Sequence, residues 1–526
     1  MLDPVGAEAQ RLGVGDLFGA MPDQVVRGRG ATHKIQARYD AAGTGRRVAH
    51  WVAPASGPNT AGSGAAKVRD RTRDVIRNNW SGASASNKWA TALIGVGITP
   101  RFSRIKSKER RQYVTDLYRR WAKVCDADGV SNYYGQQTLS VKAQFDGGEV
   151  FVRRRPRPID PKRWPVPLQI QLIEADQVPP FDADQWTGMP RGHTIRRGIE
   201  RNAYGDRVAV WAYREHPGDR PRDLSSLDPS RLVRVLIEDV SHMFEPHRVG
   251  QLRGVSEMAA VLMRVRNTDD LEDAVLERQK LANLFAMFVT RPPGDDGTGD
   301  VDPLTGKPIE YDNVEAALAR LEPGLSMELD PGQDVKFANP PEAGTTYSEY
   351  MRTTHMATSA GLDLPYELYA GDIKEVSDRT LRVIINEFRR RAEQRQWQTV
   401  IPKFCEVTIG WFADAALLAG LVSKEEADAI RMADWAPHGW AHIHPVQDPQ
   451  GKILEVDNGL RSRSSVIGER GDDPEAVDEE RAADQQREKD LDLWVDPAAV
   501  AAPGDEVDTD GIPPGEYPQP KKATKK

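Results

Sequence analysis

From Val255 to Val289 the chain contains neither proline nor glycine, and this run restricts what the middle of the protein can fold into. Val255, Met258 and Leu262 begin an apolar series at helical spacing. Thirty-five residues in one helix would span about 50 Å, far more than the usual length of about 11–12 residues. Pro292-Pro293 would end the helix. The run therefore predicts one unusually long helix.

The segments after this helix predict an elongated arrangement. Residues 294–344 are rich in turn-forming residues, and a second helical pattern, from Tyr347 to Ala360, brings the chain back and stops at Gly361. A third helical pattern starts near Asp378 and continues past Pro402, where we expect a kink, to Leu421. A helix out, a compact excursion, a helix back and another long helix do not resemble an enzyme built around one cleft.

The third helical pattern has two unlike sides. Leu381, Ile384, Ile385 and Phe388 recur on one side, and Arg389-Arg390-Arg391 falls on the other. The sequence therefore predicts a helix with an apolar side and a basic side.

The part of the chain before residue 250 shows both helical and strand periodicity. A helix is predicted from about Lys67 to Asn78. Residues 166–172 alternate apolar and polar side chains, with Gln169 and Gln171 on the predicted polar side of a half-buried strand. Residues 195–200 and 207–213 flank a Gly-containing turn and predict a hairpin, and residues 231–240 predict a further strand. This half is predicted to be mixed α and β.

Residues 101–123 predict an amphipathic helix with a basic outer face. The segment holds nine Lys or Arg residues and two Asp or Glu residues, and Tyr113, Leu117 and Trp121 lie at helical spacing. The basic face has two interpretations, a solvated surface or a contact for an anionic partner.

The composition excludes several classes of protein. Apolar residues make up 39% and charged residues 29%, so the chain is poor in core residues, and we expect some apolar burial between subunits. The most apolar stretch, Trp411 to Val422, is interrupted by Asp414 and is too short for a membrane span.

The N-terminus shows no secretory signal. Cys125 and Cys405 are the only cysteines, which excludes a disulfide scaffold. The net charge of −8 lacks the basic excess of a tight DNA clamp.

No catalytic motif is complete. Gly306-Lys307-Pro308 has proline where a phosphate-binding loop needs serine or threonine. Residues 254–258 lack the closing glycine of a nucleophile elbow, and we interpret Ser256 as a helix N-cap. Asp295, Asp296, Asp300 and Asp302 lack the glutamate that an EF-hand loop requires.

The most suggestive cluster is His438, His442 and His444, whose imidazoles could converge on zinc or another transition metal. Pro437, Gly439 and Pro445 interrupt any helix there. Packing around nearby tryptophans is the competing interpretation, and we predict no metal, cofactor or catalytic residue.

Several blocks occur in an order that is specific in combination. The strongest is His242-Met243-Phe244 leading into Arg248-Val249-Gly250-Gln251-Leu252-Arg253-Gly254-Val255. The others are Tyr39-Asp40-Ala41-Ala42, Gly45-Arg46-Arg47, Trp51, Arg69 to Asn79, Gly95-Val96-Gly97-Ile98, Trp121 with Cys125-Asp126, Gly148 to Val152, Leu168-Gln169, Glu174-Ala175-Asp176, Gly361 to Glu367, and Gly371-Asp372. From about Tyr39 to about Glu488 the chain resembles the lambda-type portal proteins of tailed bacteriophages. It departs from them at Glu375-Val376-Ser377-Asp378, where the family tends to have an Asn-Tyr-Ser-Ser-like run.

The resemblance implies an α+β portal fold that assembles as a ring oligomer, with an α/β wing, a two-helix stem, a small α/β clip, a tunnel loop with a long helix, and a helical crown. The implied divisions are a partly disordered N-terminal arm (1–66), the wing (67–252), the first stem helix (253–290), the clip (291–346), the second stem helix (347–367), the tunnel loop (368–377), a long helix returning to the wing (378–445), the crown (446–496) and a disordered tail (497–526).

The implied function is structural and not enzymatic. A dodecameric ring at the unique capsid vertex would conduct double-stranded DNA during packaging and ejection. It would dock the terminase large subunit and the head-completion or tail connector proteins, and it would contact the major capsid and scaffold proteins. Assembly in the host cytoplasm and a final place in the virion follow, with no membrane involved. Two alternatives are a metal-dependent hydrolase or nuclease using His438, His442 and His444, and a different capsid or tail structural protein.

The candidate DNA-channel residues on the tunnel loop are Gly371, Asp372, Lys374, Glu375, Arg379 and Arg382. Lys374, Arg379 and Arg382 would place positive charge toward the DNA backbone. The competing interpretation is that these three pair with Glu375, Asp378 and Glu387.

Overall fold

A computed structural model describes most of the chain in two compact units, Met1–Gly57 and Pro58–Lys526. The described residues are 25–28, 31–34, 57–59, 64–219, 231–284, 288–290, 304–305, 334–336, 346–374, 376–440 and 446–493. In the first unit, strands β1 (Val25–Gly28) and β2 (Ala31–Lys34) form an antiparallel hairpin. All the remaining elements belong to the second unit.

The described strands of the second unit form four small antiparallel sheets. The strands are β3 (Thr99–Arg101), β4 (Glu149–Pro156), β5 (Leu168–Glu174), β6 (Thr194–Arg196), β7 (Ile199–Arg201), β8 (Arg207–Tyr213), β9 (Leu232–Leu236), β10 (Val240–Phe244), β11 (Phe288–Thr290), β12 (Asp334–Lys336) and β13 (Asp434–Ala436). Their orders are β10-β4-β5, β6-β7-β8-β9, β11-β12 and β13-β3. Strand β4 lies in the middle of its three-stranded sheet, and its two faces pack on different hydrophobic cores.

The described α-helices are α1 (Ala65–Asn78), α2 (Trp80–Ile94), α3 (Lys108–Ala122), α4 (Tyr133–Gly147), α5 (Leu262–Leu284), α6 (Thr346–Gly361), α7 (Tyr366–Ala370), α8 (Asp378–Arg395), α9 (Glu406–Leu418), α10 (Lys424–Arg431), α11 (Gln447–Asp457), α12 (Arg463–Glu469) and α13 (Pro474–Asp490). Short 3₁₀ turns span Ala175–Gln177, Pro217–Asp219, Ile237–Asp239 and Glu257–Ala260, and a π-helical segment, Gln396–Cys405, joins α8 to α9. Helices and sheets alternate, so the predicted mixed fold is confirmed.

The main core lies where α2, α3 and α4 meet one face of β4 and the segment from α8 to α9. Trp121 is fully buried and its ring lies 5.1 Å from that of Phe412. The Trp121 indole donates a hydrogen bond to the Leu168 carbonyl at 2.9 Å, and the Tyr133 hydroxyl lies 2.8 Å from the Thr408 hydroxyl. Burying such side chains stabilises the fold by about 1.5–3 kcal/mol each, so this core fixes the long helical segment against the sheet.

The predicted strand at residues 166–172 begins two residues later and is more deeply buried than expected. Gln169, expected on a polar face, is 5% exposed. Its side-chain amide donates to the carbonyls of Val124 and Asp126, at 2.8 and 2.7 Å. The period-2 pattern missed this because hydrogen bonds to a neighbouring loop allow a polar side chain to be buried.

The predicted hairpin of residues 195–200 and 207–213 is partly confirmed. The second half of the first run, β7, pairs with β8 as expected. Residues 194–196 form a separate strand because the chain reverses at Arg197 and Gly198, which have φ of +56° and +79°. The strand predicted for residues 231–240 is likewise two strands, β9 and β10, separated by a 3₁₀ turn at Ile237–Asp239.

The long helix predicted from Val255 to Val289 is shorter at both ends. Ser256 caps a 3₁₀ turn, with its hydroxyl accepting the Met258 N–H at 3.2 Å, so its interpretation as an N-cap is confirmed. The α-helix begins only at Leu262, and Phe288–Thr290 is a strand paired with Asp334–Lys336. The strand contains aromatic and β-branched residues, which favour extended backbone.

The third helical pattern is continuous but not uniform. Gln396–Cys405, which contains Pro402, is π-helical in place of the predicted kink, consistent with a proline that cannot donate to the helical ladder. The helix ends at Leu418, three residues earlier than expected, and Gly420 follows with φ of +70°. Another predicted boundary also shifts, because residues 366–370 form a short helix and shorten the loop predicted at 368–377.

The basic helix α3 pairs with helix α13, which is rich in Asp and Glu. Lys108 forms an ion pair with Glu479, and Arg111 with Glu475, both on helix α13. Of the two interpretations of the basic face, this part of it has an anionic partner, and that partner is in the same chain.

Candidate functional site

The candidate site is the connection between helices α6 and α8 together with the start of α8. Gly371, Asp372 and Lys374 lie in the connection, and Arg379 and Arg382 lie on α8. Helix α7 ends at Gly371, whose φ of +71° is a left-handed conformation that glycine adopts without strain. Six residues of loop lead from there to Asp378, the first residue of α8. Glu375 lies outside the described residues.

Asp372 holds the first half of the loop in place. Its carboxylate accepts a hydrogen bond from the Tyr366 hydroxyl at 3.0 Å and one from the Lys374 N–H at 3.1 Å. The Arg352 guanidinium lies 3.6 Å away. The Lys374 N–H and the Tyr366 hydroxyl lower the pKa of Asp372. The geometry therefore gives Asp372 a role in positioning the loop.

The second half of the loop is set by the start of α8. The Ser377 hydroxyl accepts the Thr380 N–H at 3.2 Å, which makes Ser377 the N-cap. Lys374 and Arg379 are exposed, and Arg382 is half-buried. Lys374 on the loop and Arg379 in the first turn of α8 thus present two basic side chains to solvent, and the loop backbone between them is fixed at both ends.

The competing interpretation, in which these cations pair with nearby carboxylates, can be compared with the structure only in part. Glu387, one of the three expected carboxylates, forms an ion pair with Arg390 at 2.9 Å. Glu375 and the side chain of Asp378 lie outside the described residues. Among residues whose side chains the structure describes, neither Lys374 nor Arg379 has an ion-pair partner.

The turn before the loop is attached to the main core. Leu362 and Leu364 are buried on either side of Asp363, whose φ is +53°. The Trp89 indole donates a hydrogen bond to the Leu362 carbonyl at 3.0 Å. A Cβ at Gly361 would lie 2.4 Å from a methyl carbon of Val261. The end of α6 is therefore in close contact with the residues just before α5 (253–261), which form the root of α5.

Helix α7 carries a second attachment. Tyr369 is 2% exposed, and its carbonyl accepts a hydrogen bond from the Ser84 hydroxyl at 3.2 Å. The Tyr369 ring lies 5.8 Å from that of Trp80 and 6.2 Å from that of His355. These contacts hold the loop against α2 and α6.

An ion-pair cluster at the far end of α8 provides the third attachment, and sequence reasoning missed it. Arg395 is 6% exposed and pairs with Glu245 at 2.9 Å and Glu257 at 2.8 Å. Its guanidinium stacks 4.3 Å from the Trp89 ring centre. Arg391, which was predicted on the side opposite the apolar residues, pairs with Glu245 at 3.0 Å. Burial opposes the charge of Arg391, but Glu245 outweighs it and raises the pKa of Arg391.

A second buried cluster explains the strongest sequence block. The Glu149 carboxylate accepts hydrogen bonds from Arg253 at 2.7 Å, from His242 at 2.8 Å and from the Gly254 N–H at 2.9 Å. The remaining Arg253 N–H groups donate to three carbonyls, including that of Val178 at 3.0 Å. The chain just before α5 is thereby joined to strands β4 and β10.

The charges of this cluster are strongly perturbed. Burial would raise the pKa of Glu149, but Arg253 and His242 outweigh it and hold the pKa well below its usual range. Burial lowers the pKa of His242 to about 4, against the opposing effect of Glu149. His242 is therefore neutral at neutral pH, stacked 4.2 Å from the Phe151 ring.

The histidine cluster gains no support. His438 packs against Gly95, where a Cβ would lie 2.4 Å from the imidazole, and its ring lies 5.1 Å from that of Trp440. His442 and His444 lie outside the described residues, as do Asp295, Asp296, Asp300 and Asp302.

A different group, Glu174, Asp176 and His216, has ligand atoms within 4.8 Å of one another. Arg73 pairs with both of its carboxylates, at 2.6 and 2.7 Å, and Arg69 pairs with Asp176 at 2.8 Å. The arrangement is that of an ion-pair network.

Comparisons with known proteins agree with the resemblance noted in the sequence. Residues 44–396 match the family described as phage portal protein, lambda family. The probable portal protein of Halomonas phage phiHAP-1 is 23% identical over 75% of each chain. Portal protein B of Escherichia phage lambda is 21% identical over 77% of this chain and 81% of its own. The neck of a native GTA particle, computed with C12 symmetry, contains a similar chain with a TM-score of 0.43 and 14% identity, covering 75% of this chain and 92% of the other. Within the described residues, every helix is too short or too polar to cross a bilayer.

Proposed function

The chain belongs to the lambda family of phage portal proteins, and we propose that twelve copies form a ring at the unique capsid vertex. The ring would conduct double-stranded DNA into the capsid during packaging and out during ejection. The family match over most of the chain carries this proposal. The relatives named above include portal proteins and a particle neck, so the proposed location is the virion, after assembly in the host cytoplasm.

The proposed division of labour follows the order of the elements. Residues 67–252 would form the wing and α5 and α6 the stem, with the clip between them at 291–346. The loop ending at Ser377 would narrow the channel, α8 would return to the wing, and residues 446–496 would form the crown. Close contact between Gly361 and Val261 supports the pairing of α5 with α6 in one stem.

The channel loop would guide DNA without gripping it. Lys374 is exposed on a loop fixed by Asp372 and Ser377, and Arg379 is exposed in the first turn of the helix that follows. Extensive arginine contacts with phosphates would make binding fall by about 10³–10⁵ between 50 and 200 mM salt. Two or three cations per subunit, in a chain of net charge −8, favour a weak and mobile contact.

The proposed role is structural, without catalysis or a cofactor. The clip would dock the terminase large subunit and later the head-completion and connector proteins, and the wing would meet the major capsid and scaffold proteins. The hydrolase alternative is not supported, because the matched family and the named relatives are portal proteins and His438 packs between Gly95 and Trp440.

The first test is the mass and shape of the full chain, measured by mass photometry and negative-stain imaging, with scaffold protein added if rings do not close alone. Particles near twelve times 58.4 kDa with an axial hole are expected. A compact monomer that persists with scaffold protein present would contradict the proposal.

The loop is tested in the same particles with Lys374→Gln/Arg379→Gln. Rings should form normally, while DNA packaging with the terminase should slow. Arg390→Gln/Arg431→Gln, which changes the net charge equally but removes arginines already paired with carboxylates, is the matched control. Unchanged packaging in the loop variant would exclude these two side chains from the DNA path.

A further inference from the structure

The last residues of strand β4 carry a row of arginines that the portal function described above does not use. The face of β4 that contains Phe151 packs on a small core with Val210 and Val235 of the neighbouring sheet. Because side chains alternate along a strand, the same face continues with Arg153 and Arg155. Both arginines are half-buried.

Neither Arg153 nor Arg155 forms a hydrogen bond or an ion pair with any residue in the described parts of the chain. The nearest opposing charge, Asp239, pairs with Arg154 at 3.9 Å. Burial and the adjacent positive charge of Arg155 lower the pKa of Arg153; Asp239 opposes this effect and Arg214 adds to it. A surface that assembles like charges without pairing them favours an anionic ligand.

The row continues past the strand into an open groove lined by Arg157, Arg163 and Trp164. The Arg157 Nε donates to the Gln169 side chain at 2.7 Å, and its guanidinium lies 5.7 Å from the Trp164 ring centre. Arg163 lies over the same ring at 5.0 Å. The two guanidinium groups are thus held in fixed positions by an aromatic side chain.

Carboxylates in this groove limit where an anion could bind. Asp126 accepts three backbone N–H groups, from residues 128, 130 and 131, and Asp160 accepts that of Lys162. Asp128 also lines the groove. The site is therefore placed on the row Arg153, Arg155 and Arg157 and not in the groove itself.

We propose that this row binds the phosphate backbone of double-stranded nucleic acid on the outer surface of the wing, at a site separate from the channel loop. Alternate residues on a strand lie about 6.6–6.8 Å apart, so the row extends over about 13 Å. Duplex DNA carries one charge per about 1.7 Å of its axis, so a row of this length always faces several phosphates. Guanidinium groups bind phosphates bidentately, which suits a site made of arginine alone.

An acidic protein segment is the competing occupant. It would have to place carboxylates at the same spacing, whereas a duplex meets the row in any register. The nucleic acid is therefore the ligand that this geometry favours, and the acidic peptide is an arm of the test.

The experiment measures binding of the full chain to a covalently closed circular duplex, which cannot thread through a closed ring. Arg153→Gln/Arg155→Gln/Arg157→Gln is compared with Arg266→Gln/Arg390→Gln/Arg431→Gln, which changes the net charge equally but removes arginines already paired with carboxylates. The dependence of log K on log[salt] is recorded for each. Loss of three phosphate contacts should lower the steepness of that slope by about 2.7 in the first variant, with the control unchanged.

Unfolding curves establish that both variants are folded, and a triple Arg→Lys variant, which keeps the charge, should retain the slope. Equal slopes for the wild type and the first variant would overturn the proposal. Poly-L-glutamate that competes with DNA as well, charge for charge, would overturn the assignment to nucleic acid. Failure of ring formation would contradict the portal proposal but leave this measurement valid, because the row lies within one chain.

Discussion

The sharpest prediction concerns Glu149, the buried carboxylate that joins strands β4 and β10 to the residues just before α5. Glu149→Gln keeps the size of the side chain but removes the charge that faces Arg253 and the acceptor oxygen shared by His242 and Gly254. Arg253, with a side chain only 7% exposed, would keep its hydrogen bonds to carbonyls and lose its only ion-pair partner among the described residues.

The expected cost follows from that burial. Removing one partner of a buried ion pair typically destabilises a protein by about 3–5 kcal/mol. The melting temperature shifts by roughly the free-energy change divided by the entropy of unfolding, which is about 2.1 cal/mol/K per residue. Glu149 lies in the compact unit Pro58–Lys526, for which that entropy is about 1 kcal/mol/K, so Glu149→Gln should lower its melting temperature by roughly 3–5 °C.

The assay is thermal unfolding followed by circular dichroism, with Glu387→Gln as the control. Glu387 is 72% exposed and pairs with Arg390, and an exposed pair contributes only about 0–1 kcal/mol. Glu149→Gln/Arg253→Met should recover part of the loss, because no unpaired charge stays buried. A Glu149→Gln melting temperature within 2 °C of the wild type would refute the conclusion that the cluster fixes the root of α5.

Three further predictions test other parts of the argument. The pKa of His242 falls from about 6.5 when unfolded to about 4 in the fold, so stability should decrease by about 3 kcal/mol as pH drops from about 6.5 to 4. Urea unfolding across this range should show a shallower decrease for His242→Gln, and an identical decrease would contradict the assignment. Trp89→Phe removes the indole hydrogen bond to the Leu362 carbonyl and should lower the free energy of unfolding by about 0.5–1.5 kcal/mol. Amide hydrogen exchange at residues 362–374 should become faster. Unchanged exchange there would show that this hydrogen bond does not hold the loop in place. Lys108→Gln/Arg111→Gln removes two ion pairs to helix α13 and should increase proteolysis of residues 474–490. A salt concentration of about 0.5 M should have a similar effect on the wild type, because salt screens exposed ion pairs. Equal digestion rates would show that the helix is held by other contacts.

How much the sequence predicted depended on the range of the interactions. Helix α1 and the pairing of β7 with β8 were predictable because periodicity and a local turn specify them. The ends of α5 were not, because the strand Phe288–Thr290 forms only by pairing with residues more than forty positions away. Gln169 was placed on the wrong face because its partners are carbonyls of a loop that precedes it by over forty residues.

The candidate site shows the same division. Lys374, Arg379 and the loop itself were predicted from local sequence and from the resemblance to portal proteins. Arg391 and Arg395 were missed, since a charged residue on a helix is usually solvated. Their partners, Glu245 and Glu257, are more than 130 residues away. The sequence offered one signal, the high number of arginines on this helix. Its apolar side was already formed by Leu381, Ile384, Ile385 and Phe388.

Both buried clusters contact the same short stretch of chain, residues 253–257. This shared stretch links the position of the loop to that of strand β4. Arg253 and Gly254 bind Glu149 of β4, and Glu257, three residues further on, binds Arg395 of α8. Arg395 also stacks on Trp89, which holds the turn at Leu362. Hydrophobic packing alone would tolerate several arrangements of helices. Each of these charges has its partner in only one arrangement, so the root of α5, the end of α8 and the turn before the loop are set together.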